Sequence, residues 1–238
     1  VEYAEYLAAI EAHSDGLRAA AVEAGPDTPV PSCPKWTVRR LVRHIARVHS
    51  WVVAATADPS GEHVRAGTPP DGWEPLLAWW DERRAELRAA FDTAPDTPAW
   101  QPFPSYDPVV ASWARRQAHE AAMHRVDAEL ALGTATVAFP PEFAADGVDE
   151  LLTMLVYRRA DWSEFTAKGS VLVHAEDAGR LWSVRLAPGE PPQFDEQPFE
   201  PALTVEGTAD DVYRALWRRP STAKVTGETA LLEPLTPP

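Results

Sequence analysis

The stretch RQAHEAAMHRVDAE, residues Arg116–Glu129, decides how the first half of this chain is read. Advanced as a helix at about 100° per residue, it puts Gln117, Glu120, His124 and Asp127 on one side, with Val109, Val110, Trp113 and Ala131 from its flanks. Arg115, His119, Ala122 and Glu129 fall opposite. Trp113 and Ala131 mark the first side as buried, yet it is polar over about three turns. A buried acid without a partner costs several kcal/mol, so this row demands a cation or a dense hydrogen-bond network.

Three more segments carry helical periodicity. The four run from Glu2 to Ala24, Thr37 to Ala57, Trp73 to Ala94 and Asp107 to Leu132. Proline-rich breaks, GPDTPVPSCPKW, DPSGEHVRAGTPPDG and APDTPAWQPFPSYDP, separate them and cannot continue a helix. The pattern predicts a four-helix bundle, with Trp36, Trp51, Trp79, Trp80 and Trp113 available to fill it.

After Gly133 the character changes. An amphipathic stretch from Glu142 to Arg159 precedes SVLVHAED and RLWSVRLA, two alternating runs that read as a hairpin. A proline-rich loop from Pro188 to Pro201 leads into ALTVEG, the helical DDVYRALWRR and a last short run, AKVTG. The expected fold class is therefore α+β: a bundle over residues 1–136, then a smaller mixed unit over 137–238, with the boundary between Thr136 and Pro141.

Composition narrows the partners. A net charge of -14 without a basic patch argues against nucleic acid or an anionic membrane surface. Apolar runs are short and broken by charges, so no membrane span is expected, and the acidic first residues do not read as a secretion signal. A cytoplasmic location is the default expectation, and the single cysteine, Cys33, agrees with a reducing compartment. Cys33 lies between prolines in PSCPKW, without the context that activates a thiol. The expected assembly is a monomer or small homo-oligomer.

His44 shares a side of the second helix with Leu41, Val48 and Trp51, at the edge of its apolar stripe. With Glu120 and His124 one turn apart on the fourth helix, it makes a two-histidine, one-carboxylate set projecting into a bundle. Three such ligands suit a divalent ion with open positions, Zn²⁺, Fe²⁺, Mn²⁺, Co²⁺ or Ni²⁺. A lone histidine on an apolar stripe is more often a satisfied core residue than a ligand, and Glu120 with His124 also reads as a one-turn ion pair. No other histidine or acid is expected to converge on a buried helix face; His13, His49, His63, His119 and His174 read as surface or structural.

These residues also carry a family resemblance. KWTVRRLVRHIARVHSWV and HEAAMHRVDAEL are similar to the Trp-led second helix and the Glu-x-x-x-His-Arg-x-Asp signature of the mycothiol-dependent maleylpyruvate isomerase family. LTVEGTADDVYRALWRRPSTAKVTGETALL resembles its C-terminal pattern, apart from Glu228, where the family usually has Asp. The resemblance implies a DinB-like bundle with His44, Glu120 and His124 as metal ligands and Zn²⁺ as the expected ion. It implies further that Asp127 orients a ligand, Arg125 completes the signature and Arg219 faces the site as a catalytic residue.

The chain shows no convincing internal nucleophile, a gap that an external thiol would fill, and the resemblance implies that this thiol is mycothiol. A metal-held thiolate would add to the double bond of an unsaturated diacid, the bond would rotate and elimination would leave it trans. Two other outcomes stay open. The thiol could remain attached to an electrophile, making a mycothiol S-transferase, or the bundle could be a non-catalytic metal-binding or regulatory module. The expected partners are a small-molecule thiol and an electrophilic substrate.

Overall fold

The computed structural model describes residues 1–159, 161–195 and 200–237. They divide into two compact units, Val1–Val137 and Ala138–Pro238.

The first unit is four helices: α1 Tyr3–Ala24, α2 Val38–Ala57, α3 Trp73–Phe91 and α4 Val110–Leu132. α1 packs along α4, α3 against α2, and α2 against α4. The centre is filled by Leu17, Leu41, Ile45, Leu76 and Trp80. Burying such side chains contributes roughly 25 cal/mol per Å² of apolar surface. α4 is the innermost helix. Ala114, Ala118, Ala121 and Ala122 are fully buried, and their small side chains let neighbouring helices approach. The side of α4 opposite Glu120 is therefore also interior: His119 is fully buried with its ring 6.3 Å from that of Tyr6 of α1. The helix ends at Gly133, whose φ of 77° lets its N–H reach back to the last carbonyls.

The second unit begins with α5, Pro141–Glu150. No proline or glycine stops the chain there, and it continues as a wider π-helical turn, Leu151–Leu155, and a 3-10 turn, Val156–Arg158, which keep Leu151, Leu152 and Leu155 buried. Five strands follow: β1 Gly169–Ala175, β2 Arg180–Leu186, β3 Gln193–Asp195, β4 Leu203–Gly207 and β5 Lys224–Gly227. Their order is β3-β2-β1-β4-β5. The β1–β2 hairpin is antiparallel, and β4 adds to β1 in parallel. β3 arises inside the proline-rich loop, part of which lies outside the described residues.

α6, Ala209–Leu216, packs on α5 and starts at Thr208, whose Oγ1 accepts from the Asp211 N–H. Asp210 ties this helix to the start of α5 by accepting from the Phe139 N–H and from Arg214. Gly227 explains its own identity: φ is 108°, and a Cβ there would lie 2.1 Å from the Ala202 carbonyl oxygen. A final 3-10 helix spans Thr229–Leu235. No helix among the described residues is long and apolar enough to cross a membrane.

Candidate metal centre in the bundle

One loop and two helices build the site. Between α1 and α2 the loop is tied back by Val30 N–H to Trp36 C=O, Cys33 N–H to Val30 C=O and Trp36 N–H to Cys33 C=O. These turns bring Ser32 and Cys33 to Asp127, and Trp36 to the imidazoles of His44 and His124, at ring separations of 5.0 and 5.9 Å.

His44 and His124, from different helices, meet edge to face 5.0 Å apart. Glu120 lies between them: its Oε1 is 2.9 Å from His44 Nε2 and 3.4 Å from His124 Nε2. Arg116, almost fully buried one turn earlier, donates to Glu120 Oε2 at 3.3 Å. Behind His124, Asp127 accepts from Nδ1 at 2.9 Å and from the Ser32 hydroxyl at 2.5 Å. His44 keeps 36% of its side chain exposed against 15% for Glu120, so the group opens to solvent on the His44 side.

Electrostatics follow from this packing. Burial alone would raise the Glu120 carboxyl, but hydrogen bonds from His124 and His44 and the charge of Arg116 hold it well below the usual carboxylate range. Burial alone would lower His124, but its bonds to Asp127 and Glu120 outweigh it and push the imidazolium up to about 9. The His124 imidazolium and the Arg116 guanidinium together balance the Glu120 and Asp127 carboxylates.

The ligating atoms of His44, Glu120 and His124 all lie within 4.8 Å of one another. Atoms about 2 Å from a tetrahedral ion stand roughly 3.3 Å apart, so this donor set could hold a divalent metal with small adjustments. A second group, His174, Glu176 and Glu206, lies at the C-terminal ends of β1 and β4, where Glu206 already pairs with Lys224 at 2.7 Å.

The expectation that no other histidine converges on a buried helix face is corrected. His13, His49 and His119 are all buried within the bundle: His13 and His119 lie on α1 and α4, which pack along each other, and His49 of α2 is set against Trp80 of α3. Burial and the Arg125 charge lower His13 to about 4, and burial and Arg84 lower His49 to about 3, so both are neutral core residues. Arg125 donates to Glu129 on the α1 side of α4, away from His124's bonds to Glu120 and Asp127. Spacing does not single out Ser32 and Trp36 as site residues; Trp36 standing two residues before the His44 helix is the signal that points to one of them. Arg219 belongs to the second unit, in the turn after α6, where its Nη1 donates to the Trp217 carbonyl at 2.6 Å.

A bundle carrying this imidazole–carboxylate group, followed by a small mixed-sheet unit, defines a two-unit α+β protein with a candidate metal centre in its helices. The chain belongs to the mycothiol maleylpyruvate isomerase family. The family's N-terminal domain matches residues 7–129, and the MDMPI C-terminal domain matches residues 142–234. Two solved structures share the fold: the mycothiol-dependent maleylpyruvate isomerase, with a TM-score of 0.68, and a histidine-to-alanine mutant of it, with a TM-score of 0.67. Each is 16% identical and covers 96% of this chain and 95% of its own. No curated protein matches the chain in sequence.

Proposed function

We propose that this protein is a metal- and mycothiol-dependent isomerase that converts a cis-unsaturated diacid of the maleylpyruvate kind to its trans isomer. The observation that carries the reading is Glu120 Oε1 lying between His44 Nε2 and His124 Nε2, with Asp127 behind. Family membership over both halves of the chain supports the thiol and the substrate class.

The residues divide the work. His44, Glu120 and His124 are the proposed ligands; a divalent ion held there, Zn²⁺ on the family resemblance, would supply the Lewis acidity that keeps a thiol ionised near neutral pH. Asp127 holds the proton on His124 Nδ1, which leaves Nε2 as the lone-pair donor. Ser32 fixes Asp127 in turn. Arg116 offsets the Glu120 charge without occupying the ligating oxygen, because it bonds Oε2 and not Oε1. Trp36 covers the imidazoles and limits water. Cys33 is not the nucleophile: its sulfur faces Asp127 Oδ2 at 3.9 Å, and a carboxylate neighbour does not activate a thiol. Arg219 is assigned to the substrate carboxylate, which a guanidinium binds through two parallel hydrogen bonds. A cytoplasmic location fits a thiol cofactor and a chain with one cysteine.

The test is incubation of the metal-loaded protein with mycothiol and maleylpyruvate, and separately with mycothiol and a panel of electrophiles. Thiol-dependent cis-to-trans conversion is the expected result, with Arg219→Lys raising KM for the diacid. A stable thiol adduct in its place makes the protein a transferase. Neither turnover nor thiol binding by calorimetry would leave a non-catalytic metal-binding module.

A further inference from the structure

We propose that a cleft between α1 and α3 is a second ligand site, separate from the candidate metal centre, that takes a small, neutral, largely apolar molecule carrying a hydrogen-bond acceptor, such as an aromatic ketone. The cleft encloses about 620 Å³, within the range of roughly 300–1,000 Å³ typical of small-molecule pockets. Its lining includes none of His44, Glu120 and His124.

The cleft exists because α1 and α3 meet chiefly through long side chains. Arg18–Asp81, Arg84–Asp15 and Arg88–Glu11 span the gap as ion pairs. Beneath them the walls are apolar, formed by Leu7, Ile10, Leu87 and Phe91, and the small Ala8, Ala85 and Ala89 leave the mouth open.

Two buried polar groups give the floor its chemistry. His49 is fully buried, and its Nδ1 accepts from Trp80 Nε1 at 3.3 Å. Indole nitrogen only donates, so the proton of this neutral imidazole sits on Nε2. That Nε2–H has no partner among the described residues, and neither has the hydroxyl of Ser14, which is 1% exposed. Both residues line the cleft. Burying a donor without a partner is costly, and a ligand acceptor would recover that cost. Charge selects the rest of the ligand: the ionic groups of the lining, Glu11, Asp92, Arg84 and Arg88, sum to zero, so neither an anion nor a cation is favoured.

The experiment is titration with prodan, a neutral naphthyl ketone dye whose emission shifts to the blue in apolar surroundings. Saturable one-to-one binding is expected, weakened about tenfold or more by His49→Phe, which removes the donor while keeping the ring's bulk. Ala85→Trp plugs the mouth from an exposed helix position and tests the site even if the core variant misfolds. It should abolish the shift, while His44→Ala leaves it intact. Absence of a saturable shift, or binding that survives Ala85→Trp, overturns the proposal. So does binding lost in His44→Ala, since the dye would then be at the candidate metal centre.

Discussion

Asp127 Oδ2 lies 2.9 Å from His124 Nδ1 and is fully shielded from solvent. A carboxylate in that position fixes both the tautomer and the orientation of the imidazole. Asp127→Asn, nearly isosteric, keeps the volume and removes the charge. It should weaken divalent metal affinity by about 10–100-fold, with the helical circular dichroism unchanged. Affinity equal to that of the unaltered protein would mean that Asp127 only fills space.

The raised His124 links metal to pH. In the metal-free protein this group carries a proton below about 9, and an ion must displace it. Apparent metal affinity should therefore rise about tenfold per pH unit from about pH 7 and flatten near 9. Competition with a chromophoric chelator at several pH values measures the slope, and a flat profile contradicts displacement of that proton.

His13 and His49 govern acid stability with the opposite sign. Both are held neutral when folded, at about 4 and about 3, from a usual value of 6.5. The unfolded chain takes up these protons first, so their contribution is complete above 6.5 and is lost as pH falls from there toward the folded values. The urea midpoint of metal-free protein should drop between about pH 7 and 4.5, and His49→Phe should flatten the drop. A midpoint constant over this window would show that neither histidine is buried neutral.

The α+β class and the bundle were legible in the sequence because proline-rich breaks and a 3.6-residue period are local signals. The spacing of Glu120, His124 and Asp127 likewise put them on one face of one helix, as the structure has them. What periodicity could not give was the depth of α4. Covered on both sides, it buries His119 as completely as Asp127, and nothing in HEAAMHRVD distinguishes the two environments. Long-range approaches were equally hidden. Gly16 faces the Arg125 side chain so closely that a Cβ would lie 2.4 Å from its Nε, a pairing across 109 positions that no local pattern carries. β3 escaped because proline-rich sequence masks a three-residue edge strand. The loop placing Ser32 on Asp127 depends on turns closed by backbone hydrogen bonds, which leave little trace in side-chain pattern.

Elemental analysis of metal in the purified protein, after dialysis against a mild chelator, tests the central claim most directly. The account predicts one divalent ion per chain in the unaltered protein and close to none in His44→Ala, Glu120→Ala and His124→Ala. All four proteins should keep helical circular dichroism, because the core of Leu17, Leu41, Ile45 and Trp80 holds the bundle. Stoichiometric metal retained by Glu120→Ala and His124→Ala, or no metal bound by the unaltered protein when it is supplied, would contradict the assignment of these residues as a metal centre.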